Sequence, residues 1–451
     1  MAGPERQRAE SAARQAAAQL TAQDVQGVAL TFVDNAGISR VKTVPTARLA
    51  HTARWGVGAG PCFDVFLVDD SSAEGRPVGD LRLFPDLDRL TVLAGHPGWA
   101  WAPVDRFWQD GTPYTGCQRQ FARRMADTAR DRGLRPRMGF ETEWVVVRAG
   151  TADGKGEALT YGSSGPAYGL TRVTELSGYL RDVLRALAAQ QVDVLQLHPE
   201  YAPGQFEVSV APSDPVGAAD LSVLVRETIR AVSHRHGLTP LFGPVVEPGG
   251  VGNGAHLHVS LWEDDRNLFR GGDGPYGMTD ICQAFLAGVL RELPALLALG
   301  APSPAGYLRL EPSRWAGAFQ CWGPENREAA LRFITGAPDD PAGANAEVKC
   351  FDAAANPYLL TGAVLAAGLA GVDDGLRLPP PATADPAVTG GHPRLPTSLP
   401  EALDHFRRSD VLRRALGDDL FETVAAVRAA EAALLDGVSP QELAAATRGR
   451  Y

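Results

Sequence analysis

The chain has 451 residues, 45% hydrophobic and 21% charged, which at ~150 residues per domain predicts two or three folded domains and excludes a disordered chain. Its net charge of −10 opposes non-specific attraction to nucleic-acid phosphates, which require clustered Lys and Arg. Five cysteines, Cys62, Cys117, Cys282, Cys321 and Cys350, are odd in number and form no CxxC pair, so they read as reduced thiols of a cytoplasmic protein.

Residues 1–20 predict an Ala-rich helix. Arg6, Arg8 and Arg14 mix there with Glu5 and Glu10, without the apolar run of a secretory signal. Residues 27–95 alternate β-branched runs with turns, as in VALTFVD before Asn35-Ala36-Gly37 and in PVGDLRLFPDL at 77–87, and predict a small mixed sheet. The Gly-, Pro- and Trp-rich stretch from Gly95 to Pro113 reads as a linker. A helical period follows at Phe121, Met125 and Ala129, then at Leu176, Leu180, Val183, Leu184 and Leu187, and again at Leu221, Leu224, Val225, Ile229 and Val232. No transmembrane helix is expected: Ile281–Gly300 carries Arg291 and Glu292, and Leu359–Val372 is too short. Residues 378–398, rich in Pro, Thr and Gly, predict an exposed loop ahead of two C-terminal amphipathic helices. No fixed-period repeat indicates a solenoid or propeller.

Four strand-like segments carry polar residues two apart, and such residues share a face. Glu141 and Glu143 do so in GFETEWVVV, Gln205, Glu207 and Ser209 in GQFEVSV, His256, His258 and Ser260 in AHLHVSLW, and Glu347 and Lys349 in AEVKCF. Glu200 precedes Glu207 across a Pro-Gly turn that can fold it towards the same face. Solvent-facing strand faces favour Thr, Lys and mixed charge, whereas these concentrate Glu and His. Converging carboxylates repel unless divalent cations lie between them, and oxygen-rich sites with an occasional imidazole suit Mg2+ or Mn2+. Magnesium in such a site commonly serves ATP, although no GxxxxGK[ST] loop is present. The glycines of GGVGNG, 249–254, lead into a strand instead of a helix and would let backbone approach a substrate or simply form a turn. Arg309, Arg327 and Arg332 offer planar forks for carboxylate or phosphate.

Five ordered motifs, GFETEW, HPEYAPGQFE, GNGAHLHVSLW, WGPENREAALR and EVKCFDAAANPYL, make the chain resemble glutamine synthetases and related γ-glutamyl-amine ligases from about residue 25 to the terminal RGRY. The resemblance implies an α+β fold. A β-grasp domain over 21–112 would precede a catalytic domain over 113–451 with an antiparallel, barrel-like sheet flanked by helices. It implies one metal on Glu143, Glu200 and Glu207 and a second on Glu141, His256 and Glu347. Arg309, with Gly252 and Lys349, would hold glutamate. Arg327 and Arg332 would steady ATP phosphates and the moving phosphoryl group, with His258 and Ser260 at the nucleotide. Asp64, in PCFDVF, matches an aspartate that reaches a neighbouring subunit's amine site. Such enzymes form homo-oligomeric double rings of twelve subunits; neither nucleic acid nor membrane is an implied partner. The implied reaction converts glutamate to γ-glutamyl phosphate with ATP, after which ammonia or another amine displaces phosphate.

Three positions depart from the glutamine synthetase pattern. Trp315 stands where a flap glutamate helps deprotonate ammonium, Val251 where an asparagine contacts glutamate, and Lys349 where an arginine lies near the γ-carboxylate. An indole offers apolar area and a π-face to an organic ammonium, which favours a larger amine such as a polyamine or ethanolamine. The alternatives are a true glutamine synthetase, with Glu311 or Glu325 supplying the base, a non-catalytic oligomer of the family, or a ligase for another acid.

Overall fold

The computed structural model describes residues 3–74, 79–150 and 159–451; Pro77 and Val78 of the PVGDLRLFPDL segment lie outside them. The helix Gly3–Ala22 packs Ala13 and Leu20 onto a first sheet. Its strands are β1 (Gly27–Val33), β2 (Ser39–Pro45), β3 (Val57–Ala59), β4 (Leu81–Pro85), β5 (Thr91–Val92) and β6 (Trp99–Trp108). Their order is β2-β1-β6-β4-β3, with β5 also on β6, and the β1–β6 pair is parallel. The expected linker is therefore in part the central strand of this sheet. Its flanking Gly and Pro masked an alternation that places Ala100, Ala102 and Val104 in the core.

The second sheet comprises β7 (Arg135–Arg148), β8 (Val194–Pro199), β9 (Gln205–Val210), β10 (Leu238–Leu241), β11 (Leu257–Glu263), β12 (Arg266–Asn267), β13 (Phe319–Pro324), β14 (Ala329–Ile334) and β15 (Asn345–Val348). Its order is β13-β14-β15-β11-β7-β9-β8, with β10 on β7 and β12 on β11. The pairing is antiparallel except between β13 and β14, which run parallel.

Long helices cover this sheet, and the sequence caps each start. Asp214 accepts from Val216 and Gly217 amides ahead of Pro215–Arg235, Thr279 from the Cys282 amide ahead of Asp280–Gly300, and Asn356 from Tyr358 and Leu359 amides ahead of Pro357–Asp373. The last two cross at glycines: a Cβ on Gly371 would lie 2.6 Å from the Gly288 Cα, so only glycine permits this approach. Asp280–Gly300 reaches the length and hydropathy of a membrane span, yet 83% of its apolar window is buried inside the protein, as in a core helix.

Buried polar contacts lock the two sheets' units together. Asn356 Nδ2 donates to the Val33 and Asp34 carbonyls at 3.0 and 3.1 Å, Arg428 Nη2 to the Asn35 carbonyl at 2.7 Å, and the Val68 amide to Glu431 Oε1 at 2.7 Å.

Residues 378–398 are largely exposed, as expected, but are pinned to the protein at a few buried points. They form a strap containing the short helix Pro386–Thr389, with Ala382 and Leu395 buried and their amides bonded to the Trp322 and Ala318 carbonyls at 2.8 and 3.1 Å. Four helices, Leu399–Arg408, Asp410–Leu416, Asp418–Leu434 and Pro440–Thr447, replace the expected C-terminal pair. Ser409, Gly417 and the 435–439 turn break them.

Candidate active site

A cavity of about 800 Å³ opens over the polar face of β7, β8, β9, β11 and β15. Strand register assembles it: Glu143 faces Glu207 across β7 and β9, His198 faces Glu207 across β8 and β9, and Glu347 lies between His258 and Arg332. Glu200 follows β8, and His256 sits one residue before β11 with its carbonyl accepting from the Glu141 amide at 3.0 Å. All six glutamate and histidine residues expected to hold metal line this one cavity, with His258, Gly252, Arg309, Trp315, Arg327, Arg332 and Lys349.

Three overlapping groups have ligand atoms within 4.8 Å of one another: Glu141, Glu207 and His256; Glu141, His258 and Glu347; and His198, Glu200 and Glu207. His256 Nδ1 lies 3.0 Å from Glu141 Oε2 and 3.1 Å from Glu347 Oε1, while its Nε2 lies 3.6 Å from Glu143 Oε1. Glu143 Oε2 accepts from the Gly254 amide at 2.9 Å and from Gln205 Nε2 at 3.1 Å. This donor set, carboxylate oxygens with imidazole nitrogens, fits a hard divalent cation such as Mg2+ or Mn2+.

The electrostatics show the cost of crowding these groups. Burial, reinforced by the charges of Glu141 and Glu143, pushes the Glu207 carboxyl up to about 7 against the opposing hydrogen bond from His198. That hydrogen bond raises His198 to about 9. Burial disfavours the charged form of His258, yet Glu141 outweighs it and lifts the imidazole to about 9. Glu347 is held down at about 2 despite its burial, because Lys349 Nζ lies 3.0 Å away and His256 is adjacent.

Arg309 is buried beside this cluster. Its Nη2 bonds the Lys349 carbonyl at 3.0 Å and lies 3.2 Å from His256 Nε2, while its Nη1 has no partner among the described residues. A buried guanidinium N–H without an acceptor is costly, and an arginine in the wall of a cavity suits a bound carboxylate. Arg332 reaches Glu347 Oε2 and Glu325 Oε2, both at 3.1 Å. That contact engages Glu325, one of the two residues considered as an amine base. The glycine loop approaches closely: a Cβ on Gly252 would fall 2.3 Å from the Pro244 carbonyl, and one on Gly254 2.4 Å from His256 Nε2.

Asp64 and Ser260 do not line this cavity within one chain. Asp64 is buried in the first unit, with Oδ1 paired to Arg106 Nη1 at 2.7 Å and Oδ2 accepting from Tyr114 OH at 2.8 Å. The role expected of it is at a neighbouring subunit's site, not at this one. Ser260 Oγ accepts from Trp262 Nε1 at 2.9 Å and does not line the cavity.

Sequence reasoning missed His198, Tyr168, Tyr201 and Arg172. The run Gln196, His198, Glu200 repeats the spacing of two that revealed the other strands, and would have exposed β8. Arg172 left no local signal: from a separate helix it bonds the Glu200 and Ala202 carbonyls at 2.7 and 2.6 Å and fixes the turn carrying Glu200.

A sheet whose polar face gathers glutamates, histidines and arginines into one cavity suits divalent cations and anionic groups, and the family match makes the protein a carbon–nitrogen ligase. The chain belongs to the glutamine synthetase family: residues 115–445 match the profile described as glutamine synthetase, catalytic domain. It is 54% identical to a gamma-glutamylpolyamine synthetase of Streptomyces coelicolor over 96% of this chain and 95% of that protein. It is 28% identical to a glutamine synthetase of Clostridium saccharobutylicum over 81% of this chain and 84% of the relative. Among solved structures it resembles a novel glutamine synthase homolog, with a TM-score of 0.85, 33% identity and coverage of 95% of this chain and 99% of the other.

Proposed function

We propose that this protein is an ATP-dependent γ-glutamyl amide ligase whose amine is a polyamine, acting from a cytoplasmic double ring with Mg2+ or Mn2+. The observation that carries the reading is the juxtaposition, in one cavity, of the carboxylate–imidazole cluster with a buried arginine whose Nη1 lacks an acceptor among the described residues. In this reading Glu143, Glu200 and Glu207 hold one cation and Glu141, His256 and Glu347 the other, with His198 and His258 beside them. The bound cations supply charge neutralisation for the triphosphate.

The chain's own residues do the rest. Arg309 orients the α-carboxylate of glutamate, Gly252 allows the backbone to approach it, and Lys349 faces its γ-carboxylate. That carboxylate oxygen attacks the terminal phosphorus of ATP, releasing ADP and forming γ-glutamyl phosphate. Arg327 and Arg332 stabilise the charge that spreads over the phosphoryl oxygens. A neutral amine then attacks the acyl carbon, the C–O bond to phosphate breaks, and the proton lost by the nitrogen leaves with the departing phosphate. Asp64, held by Arg106 and Tyr114, is the residue offered to a neighbouring subunit's amine site. The identity to the polyamine synthetase supports the choice of amine, as does Trp315 on the flap, stacked on Tyr201 at 4.4 Å.

Phosphate release with ATP and glutamate tests this directly, comparing putrescine, spermidine, ethanolamine and ammonia at equal concentration. The reading predicts faster release with the polyamines; preference for ammonia would instead make the protein a glutamine synthetase.

A further inference from the structure

Six glutamates line the cavity. Glu141 and Glu347 face His256, Glu143 accepts from Gln205, Glu200 from Tyr168, and Glu207 pairs with His198. The sixth, Glu311, is exposed and, among the described residues, has no hydrogen-bond or ion-pair partner for its side chain. It also stands outside the three groups able to hold a metal. The adjacent Arg314 makes no ion pair with it among the described residues, its Nη1 donating instead to the Gly249 carbonyl at 3.1 Å.

The flap that carries Glu311 is fixed in an unusual conformation. Ser313 and Trp315 adopt left-handed φ of 54° and 56°, which non-glycine residues rarely hold without compensation. The Trp315 amide bonds Glu328 Oε1 at 2.9 Å, Ser313 Oγ bonds Asp385 Oδ2 at 2.7 Å, and the indole stacks on Tyr201 with ring planes 18° apart. Tyr201 and Trp315 nonetheless remain 41% and 40% exposed. The flap thus leaves an unpaired carboxylate and a broad aromatic surface in the wall of the same cavity.

We propose that Glu311, with the Tyr201–Trp315 stack, forms the subsite for the second, non-reacting ammonium of a diamine or polyamine. This rests on the amine-ligase reading and deepens it. The nitrogen that attacks the acyl carbon must be neutral, while the other end of the molecule stays protonated near neutral pH. That charged end needs an anion not already balanced by metal or imidazole, and Glu311 supplies one. The methylene chain covers the indole and phenol rings, whose π-faces also attract a cation. Ammonia and monoamines have no second charge and gain nothing from Glu311. The subsite therefore selects for two separated ammonium groups, not for amine size alone.

Equilibrium titration of the full-length protein with putrescine and with butylamine, in the presence of Mg2+, glutamate and ADP, tests the subsite. The two probes share a four-carbon chain and differ in the second nitrogen. The wild type is expected to bind putrescine ~10-fold more tightly, equivalent to about 1.4 kcal/mol. Glu311→Gln should bring the two within ~2-fold, and Glu311→Asp should restore part of the preference; an unchanged melting temperature shows that the exposed site is changed without unfolding. A wild type without the preference, or a Glu311→Gln variant that keeps it, overturns the proposal. Ligase turnover is read in parallel. A Glu311-dependent preference without turnover on any amine would sink the ligase reading and leave the subsite standing. Turnover with an unaltered preference in Glu311→Gln would do the reverse.

Discussion

Replacing Gly254 by alanine adds a single methyl group where the site has no room. The new Cβ would lie 2.4 Å from His256 Nε2 and 2.9 Å from Arg309 Nη2, so the imidazole and the guanidinium must both move. Neither can move freely: His256 lies between Glu141 and Glu347, and Arg309 is bonded to the Lys349 carbonyl. The Gly254 amide also donates to Glu143 at 2.9 Å, so backbone relief would displace a third group. Overpacking of this kind costs about 1–3 kcal/mol in stability, and a shift of ~1 Å in positioning groups costs ~100-fold in rate. Gly250→Ala is the control in the same loop, because its nearest heavy atom is the Glu247 carbonyl oxygen at an ordinary 3.4 Å. Calorimetric Mn2+ titration and thermal unfolding of both variants should show weakened metal binding and lowered stability for Gly254→Ala and near-wild-type values for Gly250→Ala. Wild-type metal affinity and turnover in Gly254→Ala would refute the placement of His256 and Arg309.

Arg172→Leu removes the guanidinium that holds the Glu200 and Ala202 carbonyls; activity should fall at least ~10-fold and stability by roughly 3 kcal/mol, with the larger effect on Mn2+ affinity if the Glu200 turn is what loosens. Stability should also depend on pH through the junction between the two units. Burial raises Glu431 to about 7 against the pull of Arg428, so in the native state it binds its proton more tightly than in the unfolded chain. The wild type therefore loses stability relative to Glu431→Gln as pH rises from about 4.5 through about 7, by an amount on the order of 3 kcal/mol at most. Denaturation of both proteins between pH 4 and pH 8 measures the difference, and parallel curves would contradict it.

The strands that carry the site were legible because their chemistry follows a spacing of two. Glu141 and Glu143, Glu207 and Ser209, and His256 and His258 each announce a face, and antiparallel register then brings those faces together without further instruction. β8 uses the same spacing but was hidden by its position before a Pro-Gly turn. The central strand β6 was obscured by flanking Gly and Pro, which describe local backbone freedom and not depth of burial. Arg172 and Tyr201 act across long sequence separations, Arg172 on the turn at Glu200 and Tyr201 through a stack with Trp315. Nothing in the neighbourhood of either residue records its partner. Asp64 shows the converse limit: a motif match located a carboxylate, but only the packing of Arg106 and Tyr114 around it showed how it is held.

The most direct test follows one oxygen atom. Glutamate labelled with 18O in its γ-carboxylate is turned over with ATP, Mg2+ and putrescine, and the released phosphate is analysed by mass. If the γ-carboxylate is phosphorylated before the amine attacks, each phosphate released carries one labelled oxygen. Amide formation with unlabelled phosphate would contradict that activation step and, with it, the account of what this cavity is for.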